Sequence, residues 1–455
     1  MAVVAEAIAH WHGLLRADVE LTPAFADAFT GQLRARHLHF GDRIHCPFLR
    51  PFFLDSDQVG LVTRVAETIA RMGEQLVAAA TSRPDVFEAL ALTDAERALV
   101  AIEPGYERAS TASRLDSFIL PDSLQFAEYN AESPAGLGYA ETLLGVFDGL
   151  EITRRFRERF EARGLKLIAP MLDALLASYR DWGGTASPPT MAIVDFRGVP
   201  TWAEFEMLQA RFVALGVPTI VCDPRDLEFD GRTLTGGGRR IDLVYRRCLI
   251  NDIVDRPDEC RALVDAYRTG TVCVANTLRC KLPHKKAFFS VLTDPRFASL
   301  FDPADRAAVA PHVPWTRLVR DGRATRGGQT VELLEYIRRH RRDLVLKPND
   351  DFGGHGVTLG WEADEASWDA AITRAVAGAD DAWVVQEKIR VRREPFPRFT
   401  PGEGAVIADM LVDCAPYLFR GRLAGFLTRL SAGGLANVTS GGGQVPSFIV
   451  REKMQ

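Results

Sequence analysis

The 455-residue chain lacks several patterns that mark common protein classes. Its seven cysteines stand singly, without the close Cys-x-x-Cys spacing of zinc or redox sites. It has no block of five like charges and a net charge of -5, which argues against nucleic acid as a partner. No apolar run approaches ~18 residues, and the first residues lack the basic start of a secretory signal. We therefore expect reduced thiols, a cytoplasmic location and no membrane partner.

Hydrophobic periodicity divides the chain into regions of different type. Residues 1–110 repeat apolar positions at spacings of three and four and predict a helical N-terminal region. From about residue 111 the pattern becomes that of two strands joined by a turn. Residues 189–280 alternate strand, helix and strand, as in a small Rossmann-like substrate domain with ligands beyond its strand ends. Residues 281–390 end in strand, glycine loop, strand, helix and strand, and the expected fold class is α/β (α+β).

The most distinctive segment is LVLKPNDDFGGHGVTLG, residues 344–360, in which a lysine precedes acids and glycines. A Walker P-loop places its lysine after the glycines, and a dinucleotide fingerprint needs glycine where Leu359 stands. A β-hairpin with an ordinary flexible loop explains the strands and glycines without any chemistry. That alternative does not account for lysines at the ends of two strands, Lys347 and Lys388.

A hairpin that covers a nucleotide triphosphate explains the order of these residues. Glycine has no Cβ, so backbone N–H groups at Gly353 and Gly354 can approach phosphate oxygens. Lys347 can reach the same charge from its strand end. Asp350 or Asp351 can hold Mg²⁺, which prefers oxygen ligands. The segment therefore predicts binding of ATP together with Mg²⁺.

Two further strands offer groups that complement this hairpin. The strand AWVVQEKI, residues 382–389, can present backbone donors and acceptors to an adenine edge, with Glu387 or Lys388 adding selectivity. Far upstream, Glu128 and Asn130 alternate along a strand and therefore point to the same face. A carboxylate beside an amide oxygen suits a hard cation that carries phosphates. The sequence thus predicts one site assembled from distant segments.

The order of these segments leads to a family resemblance. In ordinary ATP-grasp enzymes the Glu and Asn ligands follow the glycine lid, whereas here they precede it by more than two hundred residues. This order is a circular permutation, and the chain resembles the permuted ATP-grasp ligases, namely eukaryotic-type glutathione synthetase and the synthetase domain of glutathionylspermidine synthase. The matching motifs are Arg114 with Asp116, Glu128 with Asn130, Lys347 and Pro348 with Asp351, Gly353 and Gly354, Glu387 with Lys388 and Ile389, Glu394 with Pro395 and Phe396, and Arg429.

The resemblance implies a circularly permuted ATP-grasp fold with its core split between residues 111–188 and 391–455 and its lid in 281–390. It implies a catalytic role for Arg114 and Arg429. It implies nucleotide contacts from Lys285, Lys286, Lys347, Gly353, Gly354, Gln386, Glu387, Lys388 and Ile389, and metal contacts from Glu128, Asn130 and Asp351. Only one of Lys285 and Lys286 is expected to contact the nucleotide, and the resemblance does not decide which.

The resemblance also implies an activity, that of an ATP-dependent carboxylate–amine ligase. Such an enzyme forms an acyl phosphate, lets an amine displace the phosphate, and releases ADP and phosphate. Its partners would be a small carboxylate and a small amine, whose identities the sequence does not name. Two alternatives stay open: a nucleotide-binding protein without turnover, and an ATP-dependent phosphotransferase with His355 as the carrier. The oligomeric state is not predicted.

Overall fold

The computed structural model describes residues 2–17, 23–40, 43–351, 355–378, 382–400, 404–433 and 442–453. Within these ranges helices pack on several separate sheets, which is the mixed α/β architecture expected from the sequence. All seven cysteines are buried free thiols. Among the helices in these ranges, none combines the length and apolar composition needed to cross a membrane.

The N-terminal region is mainly helical, as its periodicity predicts, and also contains short strands. Helix α3 begins after Asp55, whose carboxylate accepts a hydrogen bond from the Gln58 N–H at 2.9 Å and so caps the first turn. The elements are α1 (Ala2–Ala17), α2 (Pro23–Ala35), β1 (His39–Phe40), β2 (Arg43–Ile44), β3 (Phe52–Leu54), α3 (Ser56–Ala80), α4 (Pro84–Leu90) and α5 (Asp94–Val100).

The next region supplies one edge of the central sheet. Its elements are β4 (Ala112–Ile119), β5 (Leu124–Asn130), α6 (Leu137–Asp148), α7 (Glu151–Arg159), β6 (Phe160–Arg163) and α8 (Ile168–Asp181). Strands β4 and β5 form the predicted antiparallel pair, in which Arg114 lies opposite Asn130 and Asp116 lies opposite Glu128. The two predicted motifs therefore meet across a single strand pair.

The Rossmann-like unit contains a four-stranded parallel sheet in the order β13-β12-β7-β8. The Asn276 side chain fastens it to the central sheet, because its amide group bonds the backbone of Thr111, Ala112 and Ala131. The elements are β7 (Met191–Val194), α9 (Trp202–Ala214), β8 (Thr219–Cys222), β9 (Leu227–Phe229), β10 (Leu234–Gly236), β11 (Arg239–Arg240), β12 (Leu243–Arg246), α10 (Ile250–Asp255), α11 (Arg261–Arg268) and β13 (Cys273–Ala275).

The region that follows forms a four-stranded antiparallel sheet in the order β14-β19-β17-β18. Trp368 and Ile372 of the covering helix α16 pack on Leu346, as the predicted strand, helix and strand require. The elements are α12 (Lys281–His284), α13 (Ala287–Thr293), α14 (Pro303–Val309), β14 (Thr316–Leu318), β15 (Arg323–Arg326), β16 (Gln329–Glu332), α15 (Leu333–Arg339), β17 (Leu344–Pro348), β18 (Thr358–Leu359), α16 (Glu365–Ala377) and β19 (Trp383–Glu387).

The last region returns to the sheet that contains β4 and β5. The strands of this region are β20 (Arg392–Thr400), β21 (Gly404–Phe419), β22 (Arg422–Ser431), β23 (Gly443–Val445) and β24 (Ser447–Glu452). Strand β24 pairs with β3 and β6 in a separate sheet. The central sheet has the order β23-β22-β21-β4-β5, and β20 also pairs with β21. The short 3-10 helices Pro224–Asp226, Leu278–Cys280, Pro295–Leu300 and Arg341–Asp343 join other elements. The two halves of the core thus pair side by side, although their domain boundaries stay a prediction.

Candidate active site

A cleft of about 330 Å³ lies between the central sheet and the β14-β19-β17-β18 sheet. Most of the predicted site residues line it: Glu128, Lys286, Lys347, Asp351, Gln386, Glu387, Lys388, Ile389 and Arg429. Its remaining wall is largely apolar and includes Phe118, Val345, Val357, Leu359, Trp361 and Leu411. Gly353 and Gly354 lie outside the described residues. A cleft that combines apolar walls with polar and charged groups is the usual form of a small-molecule site, and this one is rich in charged side chains.

Lys347 points into this cleft from β17. Its Nζ donates a hydrogen bond to Gln386 Oε1 at 2.6 Å, and Gln386 Nε2 donates to Thr316 Oγ1 at 3.1 Å. Burial lowers the pKa of Lys347 to about 8; Lys286 adds to this shift and Glu128 opposes it. The side chain is held in place by a neutral amide, and it has no carboxylate in direct contact among the described residues.

We expect the affinity for ATP to weaken as the pH rises through about 8, the pKa of Lys347 in the free protein. Below this pH the Lys347 ammonium attracts the phosphates. Above this pH the Lys347 side chain is neutral and must take up a proton when ATP binds. The Kd should then rise by up to ~10-fold per pH unit. Calorimetric titration with a non-hydrolysable ATP analogue between pH 7 and 9.5 measures this. Lys347→Arg keeps its charge and should flatten the profile, so an unchanged profile in that variant would contradict the assignment.

Of the predicted metal residues, Glu128 and Asp351 line the cleft, whereas Asn130 is not among the lining residues and contacts Glu128. Asn130 Nδ2 donates to Glu128 Oε1 at 3.2 Å, so the two side chains share one face of β5. Lys286 Nζ lies 3.6 Å from Glu128 Oε2 and donates to the Asp351 carbonyl at 2.5 Å. This ammonium therefore links β5 to Asp351, and it occupies a position that favours positive charge.

The two neighbouring lysines have different surroundings. Lys285 is 3% exposed, and its Nζ lies 2.7 Å from both Glu96 Oε1 and Asp350 Oδ2. Lys281 adds a second ammonium 2.6 Å from Asp350. Burial opposes the ionisation of Asp350, but the two lysines outweigh it and hold the pKa of that carboxyl well below its ordinary value. Lys285 and Asp350 therefore belong to a buried ionic cluster, while Lys286 and Asp351 line the cleft.

The two predicted arginines lie beside each other on the central sheet. Arg114 Nε donates to Asp116 Oδ1 at 2.9 Å, and Arg429 bonds both Asp116 and Asp413. Burial opposes the ionisation of Asp116, but Arg114 and Arg429 outweigh it and hold its pKa below the ordinary range. Arg429 lines the cleft, whereas Arg114 reaches the Ala135 carbonyl behind it at 2.9 Å.

Sequence reasoning missed two residues of this site. Asp413 lies in the cleft wall and accepts hydrogen bonds from Arg429 Nε and the Ser117 N–H. It is the lone acid in the apolar run MLVDCAPYLF, and a buried charge in such a strand is a usable signal. Trp361 forms a wall of the cleft, and Lys388 Nζ lies 4.4 Å from its ring centroid, a cation–π contact. Glu387 pairs with Arg326 at the same end.

Comparison with known proteins identifies the family and the fold. Residues 119–386 match the family described as a circularly permuted ATPgrasp. The chain belongs to this family. The family match confirms the resemblance predicted from the motifs. A glutathione synthetase-like effector of Globodera pallida, solved in its apo form, has the same fold, with a TM-score of 0.60 at 12% identity over 93% of this chain and 96% of that one.

Two relatives with longer chains share moderate sequence identity with this protein. An uncharacterised protein of Mycobacterium tuberculosis is 27% identical over 349 residues, which cover 71% of this chain and 57% of the relative. The chain thus spans little more than half the length of this relative. A protein of Frankia alni, provisionally named a glutamate–cysteine ligase, is 25% identical over 252 residues, which cover 52% of this chain and 27% of the relative.

The residues of this ATP-grasp cleft suit Mg²⁺. Glu128 and Asn130 offer a carboxylate and an amide, and Mg²⁺ takes oxygen ligands together with phosphates. The Lys286 ammonium already lies between Glu128 and Asp351, so a positive charge is accommodated there. Within the described ranges, no three His, Cys, Asp or Glu side chains form a metal cluster on their own. The predicted ligand set, Glu128, Asn130 and Asp351, is not a group of this kind because one of its three members is an asparagine.

Proposed function

We propose that the protein is an ATP-dependent carboxylate–amine ligase that forms an amide or peptide bond through an acyl phosphate and releases ADP and phosphate. The observation that carries the proposal is the cleft itself, where Lys347, Lys286, Glu128 and Arg429 come from distant segments. The names of the Frankia and Globodera proteins, a glutamate–cysteine ligase and a glutathione synthetase-like effector, support this reaction class. The motif resemblance favours a glutathionylspermidine synthase-like substrate pair.

The residues that line the cleft favour direct attack by a second substrate. Among the described lining residues there is no cysteine and no serine, so the wall offers no thiol or hydroxyl nucleophile of the usual kind. The lysines of the wall are assigned to the phosphates and the nucleotide, so the attacking amine of the proposed reaction comes from a second substrate. The buried free thiols are consistent with a reducing, cytoplasmic setting.

In the phosphoryl-transfer step, the lysines and arginines of the cleft hold the negatively charged phosphates in position. Lys347 and Lys286, which both line the cleft, bind the phosphates of ATP and so hold the terminal phosphorus near the carboxylate. Glu128, Asn130 and Asp351 would hold Mg²⁺, which when bound offsets phosphate charge. Arg429, fixed by two carboxylates, presents the remaining guanidinium N–H groups to the acyl phosphate.

The apolar wall protects the intermediate from water. An acyl phosphate is readily hydrolysed, so the site needs to exclude solvent until the amine arrives. Val357, Leu359 and Trp361 follow the glycine segment and line the cleft next to β17. These apolar side chains would shield a bound nucleotide from solvent on this side of the cleft.

Hydroxylamine trapping tests the ligase reaction. The protein is incubated with ATP, Mg²⁺, hydroxylamine and an acid from a panel that includes glutathione and other small peptides. We expect a hydroxamate with equal amounts of ADP and phosphate, because hydroxylamine replaces the amine. AMP with pyrophosphate would indicate an adenylate and contradict the proposal. ATP binding without any product across the panel would favour the binding-protein alternative.

One observation keeps a phosphotransferase as the second candidate: His355 lines the same cleft. A phosphotransferase would move the terminal phosphoryl group of ATP onto the imidazole, whereas a ligase would leave the protein unlabelled. Incubation with ATP labelled in its terminal phosphate, followed by peptide mapping, separates the two. Acid-labile label on His355 that is lost in His355→Asn would replace the ligase proposal.

A further inference from the structure

A second pocket, of about 150 Å³, lies against β14 and the β15–β16 hairpin. The charged side chains that line it are mostly arginines: Arg296, Arg317, Arg320 and Arg323, against Asp294 and Asp321. It shares no lining residue with the nucleotide cleft. None of the sequence motifs described above contributes a residue to this pocket.

Arg317 is the buried arginine of this pocket and is 5% exposed. Its two terminal nitrogens donate to uncharged oxygens, those of Thr293, Thr316 and Thr325, at 2.6–3.0 Å. Its Nε has no hydrogen-bond partner. Within the part of the chain that the structure describes, Arg317 forms no salt bridge. Burial lowers the pKa of Arg317 to about 10; Asp294 opposes this shift, and Arg296 adds to it.

The carboxylates of this pocket do not balance its arginines. Asp294 is engaged by Arg296 through Nε and Nη2, at 3.0 and 2.7 Å. Arg323 pairs with Glu332 at 2.7 Å. Arg317 and Arg320 remain without an ionic partner among the described residues. A buried guanidinium without a counter-charge is unfavourable unless an anion completes the site.

A chain of hydrogen bonds links this pocket to the nucleotide cleft. Arg317 Nη1 donates to Thr293 Oγ1 at 2.9 Å, and the Thr316 N–H donates to the same oxygen at 3.3 Å. Thr316 Oγ1 accepts from Gln386 Nε2 at 3.1 Å, and Gln386 Oε1 accepts from Lys347 Nζ at 2.6 Å. Arg317 and Thr316 alternate on β14, so Arg317 faces the pocket while Thr316 faces Gln386, which lines the cleft. These hydrogen bonds connect Arg317 to Lys347.

We propose that this arginine pocket is a second ligand site, which binds a small oxyanion and changes the affinity of the cleft for ATP through β14. The ligand chemistry is that of a phosphate or a carboxylate, either of which accepts hydrogen bonds from two guanidinium groups. The effect on ATP rests on the proposed function of the cleft, whereas binding in the pocket does not.

Thermal melting in inorganic phosphate tests the binding, with acetate as a second probe and ionic strength held constant. We expect phosphate to raise the melting temperature of the whole protein by roughly 1–2 °C at tenfold excess over its Kd. The response should persist in Lys347→Ala, which disables the cleft, and be lost in Arg317→Met and Arg320→Gln. Arg320 is exposed, so its variant folds even if Arg317→Met does not. Arg239→Gln, on β11, is the matched control and should respond as wild type.

The outcomes separate the two sites. Loss of the response in Lys347→Ala, or its retention in Arg320→Gln, would overturn the proposal, as would no response to either anion. A response to acetate but not phosphate would identify the ligand as a carboxylate. To test the coupling, the Kd for ATP is measured with and without phosphate in wild type and in Arg320→Gln. The factor by which phosphate changes this Kd should differ at least ~2-fold between the two proteins. Competition within the cleft is the same in both proteins, so equal changes would overturn the coupling.

Discussion

Replacing Lys347 with methionine is expected to lower ATP-dependent turnover roughly 10³-fold or more, because one charge that faces a transferring phosphoryl group contributes at this scale. The melting temperature should stay the same or rise slightly. Burial lowers the pKa of Lys347 to about 8, so its charged form is disfavoured by folding at pH 7. Methionine keeps the unbranched chain and removes that cost.

The same pKa gives this prediction a second readout. Because the pKa of Lys347 lies below its value in an unfolded chain, wild-type stability should increase as the pH rises from about 8 towards the ordinary lysine range. The methionine variant should lack that increase. Lys166→Met, at an exposed position outside the cleft, is the control and should leave turnover and melting unchanged. A large loss of stability in Lys347→Met with near-normal turnover would assign the lysine a structural role.

Local periodicity was enough to predict those parts of the site that share one strand. Glu128 and Asn130 are two residues apart, and alternation alone places them on one face of β5. Lys347 and Gln386 lie on adjacent strands that the apolar runs identify. Their meeting follows from antiparallel pairing within a short segment.

Choices between neighbouring residues could not be predicted in this way. Lys285 and Lys286 are adjacent, and so are Asp350 and Asp351, yet one of each pair is buried in the ionic cluster and the other lines the cleft. The difference arises from Glu96, which lies on a helix far away in sequence. Composition and spacing near residue 285 contain no information about that helix.

The pairing of the two ends of the core also lies beyond local pattern. β21 places Tyr417 opposite Arg114 of β4, three hundred residues earlier in the chain. No turn or periodicity connects these strands, and only the family resemblance predicted that residues 391–455 return to the sheet. The Ser117 N–H that Asp413 accepts from also belongs to β4, so this part of its surroundings lies beyond local pattern.

The adjacent lysines allow a matched pair of substitutions with opposite effects. Lys285→Met removes an ammonium that lies 2.7 Å from two buried carboxylates, and it should lower the free energy of unfolding by about 3–5 kcal/mol. Lys286→Met should leave stability within about 1 kcal/mol, because the ammonium it removes lies in the cleft. Its effect should instead be a fall in turnover of roughly 10²-fold or more, since Lys286 lies beside Glu128 and binds the phosphates in the proposed reaction. Urea unfolding and phosphate release measure the two quantities.

A compensating variant keeps this prediction testable if Lys285→Met is too unstable to purify. Glu96 also caps helix α5 by accepting a hydrogen bond from the Thr93 N–H at 2.9 Å, and glutamine can make the same bond. Lys285→Met combined with Glu96→Gln removes one charge of each sign and retains the cap. The double variant should therefore recover part of the lost stability, and turnover should recover with it because Lys286 is unchanged. Normal stability in Lys285→Met with lost phosphate release would instead assign the nucleotide contact to Lys285.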